Sequence, residues 1–174
     1  MENELPKRKR TRLENFDYNL PGAYFVTVCT ENRRNILWNG NFELQKFNWI
    51  TVGANCVRPQ NLPLSETGKN VMEELERWHK TYLGVSLQTY VIMPNHLHIM
   101  IEIYADEYGR TQFAPTVSRM IKQFKGTVTK KIGRSIWQKS FHDHVIRNYD
   151  DYIEHQKYIL ENPMKWQFDE LYSE

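Results

Sequence analysis

His96 and His98 stand two residues apart in the run Tyr90-Val91-Ile92-Met93-Pro94-Asn95-His96-Leu97-His98-Ile99-Met100-Ile101. Apart from the Pro94-Asn95 break, the run reads as buried β-strand. Side chains alternate faces along a strand, so the two imidazoles share one face while Leu97 and Ile99 enter a core on the other. Two imidazoles side by side suit a shared metal ion. Alone the pair is a weak signal, because two polar residues on a half-exposed sheet face give the same pattern.

A second set of chemical groups lies near the end of the chain. Over 149–162 the spacing predicts a helix with Tyr152, Ile153, Ile159 and Leu160 on one side. Asp151, Glu154, His155, Tyr158 and Asn162 fall on the other. Tyr158 and Asn162 are one turn apart. A phenol that is ionised, or hydrogen-bonded to a base, is a competent nucleophile toward phosphorus. A metal ion can polarise the attacked phosphoryl group and stabilise its leaving oxygen. Asn162 offers an amide oxygen as a third ligand beside the imidazoles. Plainer explanations stand beside these: a surface aromatic for Tyr158, and a helix cap before Pro163 for Asn162. His144 and His155 are candidates for supporting the site, with hydrogen-bonded structural histidines as the alternative.

These residues need elements to hold them. Residues 23–30 are rich in β-branched and aromatic types and read as a strand. A short strand is expected around 49–52, followed by a loop through Pro59 to Pro63. Ser65 opens a helix running to about Lys80, with Val71, Met72, Leu75 and Trp78 as its core stripe. Strands follow at 85–93 and 96–103, then a helix over 115–132 with Val117, Met120, Ile121, Phe124 and Val128 inward. Residues 137–147 read as partly extended, and Pro163 ends the last helix. Strands that interleave with helices, two of them joined by a very short break, fit an α+β domain: one central antiparallel sheet with helices packed on it.

The chain has 174 residues, 40% of them apolar and 25% charged, which suits one soluble globular domain. Residues 1–20 form a basic arm carrying Lys7-Arg8-Lys9-Arg10, and 21–174 form the domain. No apolar run approaches the length of a membrane span. The N-terminus lacks the apolar core of a secretory signal, and Cys29 and Cys56 make no motif, so a reduced, cytoplasmic setting is expected. Net charge is only +2, but its distribution is uneven. Arg33 and Arg34 follow the first strand. Arg119, Lys122, Lys125, Lys130, Lys131 and Arg134 lie in a stretch without an acidic residue. Such clusters suit a polyanion. Arg33, Arg34, Arg119, Lys122, Lys125 and Arg147 are the candidate backbone contacts, a structural ion pair being the other reading for Arg147.

With these residues quoted, the chain resembles the IS200-like transposases of the HUH single-tyrosine nuclease superfamily, and is most similar to the REP-associated tyrosine transposase branch. Four segments carry the resemblance: 22–30 with Arg33-Arg34; Val91 to His98; Trp137 to Asn148; and Tyr158 to Pro163. It implies a ferredoxin-like or RRM-like antiparallel sheet, the HUH endonuclease fold. It implies that His96 and His98 bind a divalent metal, Mg²⁺ or Mn²⁺, that Asn162 takes the third-ligand position, where insertion-sequence members use glutamine, and that Tyr158 is the nucleophile. The implied substrate is single-stranded DNA with hairpin elements, cut through a 5′-phosphotyrosine link and rejoined by a 3′-hydroxyl. The implied state is a monomer or homodimer. Two other readings stay open. One is a catalytically silent DNA-binding relative. The other is a metal-dependent phosphodiesterase that uses Glu102 or Glu154 as its base and Tyr158 not at all.

Overall fold

A computed structural model describes residues 20–40, 49–52, 56–59, 61–105 and 116–172. The basic arm lies outside the described residues. Along the chain run β1 (Gly22–Cys29), β2 (Trp49–Val52), β3 (Cys56–Pro59), α1 (Glu66–Glu76), α2 (Trp78–Thr81), β4 (Val85–Ile92), β5 (His96–Ile103), α3 (Val117–Ile132), β6 (His142–Ile146) and α4 (Tyr149–Glu161). A 3₁₀ segment, Asn162–Phe168, continues from α4.

The strands form one sheet in the order β2-β3-β4-β5-β1-β6. Its β4-β5-β1-β6 part is antiparallel throughout. The β2-β3 hairpin extends it through a parallel pairing at Val57↔Thr89. The α+β expectation therefore holds, with two strands added at one edge. Helices cover both faces. On one face α1 and α3 pack over Tyr24, Val26, Leu97, Ile99 and Ile101, with Val71, Leu75, Met120, Ile121 and Phe124 as their buried stripe. Burying a stripe of that size is what holds a short amphipathic helix in place. On the other face α4 lies across β4, β5 and β6.

Several boundaries differ from the sequence expectation. The helix from Ser65 breaks at Arg77 into α1 and α2. Cys56–Pro59 pairs as a strand although Pro59 reads as a loop signal. Pro163 does end the α-helix, but the backbone tightens into 3₁₀ instead of leaving, because proline fits the first turn of a helical segment. Gly68 is required by packing: a Cβ there would stand 2.1 Å from the Leu37 carbonyl oxygen. That closeness seats the loop after β1 against the start of α1.

Candidate functional site

The β1–β5 register sets the site. Thr27 stands opposite His98 and Cys29 opposite His96. His96 and His98 both point to the α4 face, and both are buried. Their Nε2 atoms are 2.9 Å apart. Each ring is oriented from behind. Asn95 Oδ1 accepts from His96 Nδ1 at 2.7 Å, which leaves His96 Nε2 as a lone-pair donor. Thr27 Oγ1 bonds His98 Nδ1 at 2.9 Å. Such hydrogen bonds fix the tautomer and aim of a metal-binding imidazole. Burial pushes the His96 pKa down to about 3, with the Arg33 charge adding to the effect. Burial and then the neighbouring His96 hold His98 well below its ordinary value. Both rings are therefore neutral at pH 7, the state that binds a cation.

Tyr158 comes to this pair from α4. Its ring centroid is 5.0 Å from that of His98 and 5.9 Å from that of Phe25, edge-on in both cases. It is 43% exposed, so its hydroxyl is reachable from outside. Burial, then the Asp169 charge, pushes its pKa up to about 12. Tyr158 Oη donates to Asp169 Oδ2 at 3.3 Å. Asn162, a turn further on, caps α4 and is buried. Its Nδ2 donates to the same Asp169 oxygen at 2.6 Å, and its Oδ1 is buried with no hydrogen-bond partner.

A divalent ion fits this donor set. Two imidazole lone pairs and an orphaned amide oxygen are what a borderline metal binds, and a buried unpaired carbonyl oxygen costs free energy unless something meets it. Beside the histidines opens a cleft of about 480 Å³, walled by Phe25, Thr27, Arg33, His155 and Tyr158 among others.

The polar side of α4 thus faces the sheet. Tyr152 is half-buried and Ile159 buried, but Ile153 and Tyr149 are exposed. Ile153, expected on the apolar side, lies outside because the helix turns its functional stripe, not its full apolar stripe, toward β5. His144 on β6 and His155 on α4 stack at 4.4 Å between centroids. Asp151 lies between them, 3.0 Å from His144 Nε2 and 3.0 Å from His155 Nδ1. Burial works against ionisation of Asp151, but the Arg147 backbone N–H, then His144 and His155, outweigh it and hold the carboxyl below its usual range.

The basic candidates divide. Arg33 lines the cleft, with its backbone in the left-handed region at φ 51°. Arg34 pairs with Glu31 at 3.7 Å, and Arg147 is exposed just before α4. Arg119 and Lys122 are exposed on α3, on the face of the sheet opposite the histidines. Lys125 donates to the carbonyls of Gln138 and Ser140 at 2.9 and 2.8 Å, so its ammonium holds the segment before β6. Burial pulls its pKa down to about 8. Glu102 hydrogen-bonds Gln88 and Tyr104, four residues along β5 from His98, roughly 13 Å at 3.3 Å per residue.

The sequence reading passed over Asn95, Thr27 and Asp169. Asn95 sits in the turn it was assigned to, yet it is buried. Thr27 carried one signal, a polar residue between two valines of a strand. Asp169 carried none, since only the path of the chain after α4 brings it back.

No protein-family model matches the chain. An uncharacterized protein of Haemophilus influenzae is 27% identical over 95% of this chain and 93% of its own length. A REP-associated tyrosine transposase of Escherichia coli K12 is 28% identical over 83% of this chain and 67% of its own length. A putative REP-associated tyrosine transposase of Haemophilus influenzae is 30% identical over 42% of this chain and 47% of its own length. Among solved structures, that of a REP-associated tyrosine transposase bound to a REP hairpin superposes with a TM-score of 0.59 at 23% identity, covering 88% of this chain and 74% of the other.

Proposed function

Because this chain is a relative of the IS200-like, REP-associated tyrosine transposases, we propose that it is a metal-dependent nuclease and strand transferase for single-stranded DNA with hairpin elements. The observation that carries the reading is the convergence of the two Nε2 atoms 2.9 Å apart with a reachable tyrosine packed edge-on against His98.

A divalent ion, Mg²⁺ or Mn²⁺, held by His96, His98 and Asn162, would polarise the scissile phosphate and stabilise the leaving oxygen. The remaining chemistry belongs to the chain. Thr27 and Asn95 hold the two imidazoles in place. Tyr158 Oη attacks phosphorus and forms a 5′-phosphotyrosine bond as the P–O3′ bond breaks. Asp169, already hydrogen-bonded to the phenol, is placed to receive its proton. A phenol whose pKa lies near 12 gives up that proton reluctantly at pH 7, so a hydrogen-bonded carboxylate matters. DNA enters by the cleft, where Arg33 and the ring of Phe25 face it. The REP hairpin bound to the solved relative supports a hairpin ligand here as well.

Of the two bases that the phosphodiesterase reading offers, Glu102 is tied into a separate network, whereas Glu154 lines the cleft. The experiment is incubation with labelled hairpin-bearing single strands and Mn²⁺ or Mg²⁺, read on a denaturing gel. A covalent adduct is expected from the wild-type chain and none from Tyr158→Phe. Cleavage without an adduct, unchanged in Tyr158→Phe, would favour the phosphodiesterase, and binding without cleavage the silent relative.

A further inference from the structure

The donors assigned so far, two neutral imidazoles and one amide oxygen, bring no negative charge to a divalent ion. A carboxylate stands beside them. One oxygen of Asp169, one nitrogen of His96 and one of His98 all lie within 4.8 Å of one another. Ligands on one ion at bond lengths of about 2.0–2.2 Å stand roughly 3–4 Å apart, so this spacing closes with small side-chain adjustment.

The chain holds Asp169 there from several sides. The 3₁₀ segment turns back after α4, and Trp166 anchors it, buried with its ring centroid 5.9 Å from that of His96. Leu171 N–H donates to Asp169 Oδ1 at 2.6 Å. The Leu171 carbonyl accepts from Asn95 Nδ2 at 2.9 Å, and Asn95 is the residue that orients His96. Asp169 is thus latched to the back of the histidine pair. It also sets the third donor. Asn162 gives its Nδ2 to Asp169, so its buried Oδ1 is left unpartnered, and that free oxygen independently points to a ligand.

We infer that Asp169 is the charged ligand of the metal centre, completing a two-histidine, one-carboxylate set with Asn162 as a fourth donor, while its Oδ2 keeps the hydrogen bond from Tyr158 that lets it take the phenol's proton. This rests on the reading of His96 and His98 as metal ligands. Two imidazoles with a carboxylate are a recurrent divalent-metal set, and the single negative charge raises cation affinity while leaving net positive charge for a phosphate.

The test is Mn²⁺ titration of the full chain without DNA, followed by the loss of the free-ion EPR signal. Wild type, Asp169→Asn and His98→Ala are compared, with folding checked by circular dichroism. Asp169→Asn keeps the size and the acceptor oxygen but drops the charge. A dissociation constant at least tenfold weaker is expected for it, and no specific binding for His98→Ala. If Asp169→Asn binds within twofold of wild type while His98→Ala does not bind, Asp169 is not a ligand and the histidine centre stands. If wild type fails to bind, or His98→Ala binds like wild type, the centre itself is overturned and Asp169 with it. A Mn²⁺-minus-apo infrared difference spectrum of the wild-type chain decides the point should Asp169→Asn fail to fold. Carboxylate ligation shifts the carboxylate stretches, whereas unshifted stretches overturn the assignment.

Discussion

The two halves of the site are built differently. His96 and His98 sit on an interior strand, fully or almost fully buried, and among the described residues their rings are fixed by hydrogen bonds from Thr27 on β1, from Asn95 and from each other. Tyr158 sits on α4, 43% exposed, on a helix fastened to the rest by polar ties at both ends: His144 and Asp151 at the start, Asn162 and Asp169 at the finish. The histidines are therefore part of the hydrophobic core as well as of the chemistry. The tyrosine is carried to the core's edge and can be altered without disturbing what lies beneath. Substitution of either histidine should cost stability and metal binding together, and substitution of Tyr158 should cost chemistry alone.

Removing the histidine is the largest test of that difference. His98→Ala leaves a cavity and strips the Thr27 hydroxyl and His96 Nε2 of their partner, which together cost about 2–4 kcal/mol. Tyr158→Phe loses one long hydrogen bond at a half-exposed position, and its stability should stay within about 0.5 kcal/mol of wild type. Urea unfolding of the two variants measures both. If Tyr158→Phe unfolds as readily as His98→Ala, the distinction between the halves is wrong.

The same difference decided what the sequence could reveal. His96, His98 and the inward set Leu97, Ile99 and Ile101 were legible because strand alternation is a strict period of two. Tyr158 and Asn162 were legible as neighbours because helical spacing is equally regular. Periodicity says which residues share a face, not which way the face turns. Ile153 looks like a core residue on α4 yet is 40% exposed, because a polar stripe found partners on the sheet. Asp169 was invisible for a further reason: it is seven residues past Asn162, beyond a 3₁₀ turn that no period predicts. Lys122 and Lys125, three residues apart on one helix, looked equivalent until tertiary carbonyls claimed the second. The basic surface as a whole is the least legible part, since charge clusters name no face.

Acid sharpens the comparison at intermediate size. The folded chain keeps His96 neutral down to a pKa of about 3 and His98 well below its ordinary 6.5. Below pH 6.5 the unfolded chain binds protons that the folded chain refuses, so stability falls as pH drops. For His96 the loss approaches 1.4 kcal/mol per pH unit, or roughly 1.5 kcal/mol between pH 6.5 and 5, and His98 adds a loss of the same sign. On the α4 side the Asp151 carboxyl is lowered, so its contribution is intact above its ordinary 3.8 and is lost only as pH falls through its folded value. Unfolding free energies at pH 6.5 and 5 should therefore differ clearly in wild type, and by less in His98→Ala. Equal slopes in the two proteins would mean that His98 is not held neutral by the fold.

The smallest effect is expected at the start of α4. His144→Ala removes the β6 partner of Asp151 but leaves that carboxylate the Arg147 N–H and His155, and Asn148 still caps the helix. His144 is 40% exposed in this pair, and exposed pairs contribute under about 1 kcal/mol, so the melting temperature should move by only a few degrees. Positioning is less forgiving than stability, because a nucleophile displaced by about 1 Å can lose up to a hundredfold in rate. His144 ties the helix two turns from Tyr158, and a loss of about three- to tenfold in adduct formation is the proportionate expectation, with Mn²⁺ affinity unchanged. The measurement is single-turnover adduct formation beside the Mn²⁺ titration. A lower rate at unchanged affinity would show that the tie serves alignment of the phenol. A weaker Mn²⁺ affinity would instead show that strain at the α4 start reaches the histidines, and the two halves would then be one mechanical unit.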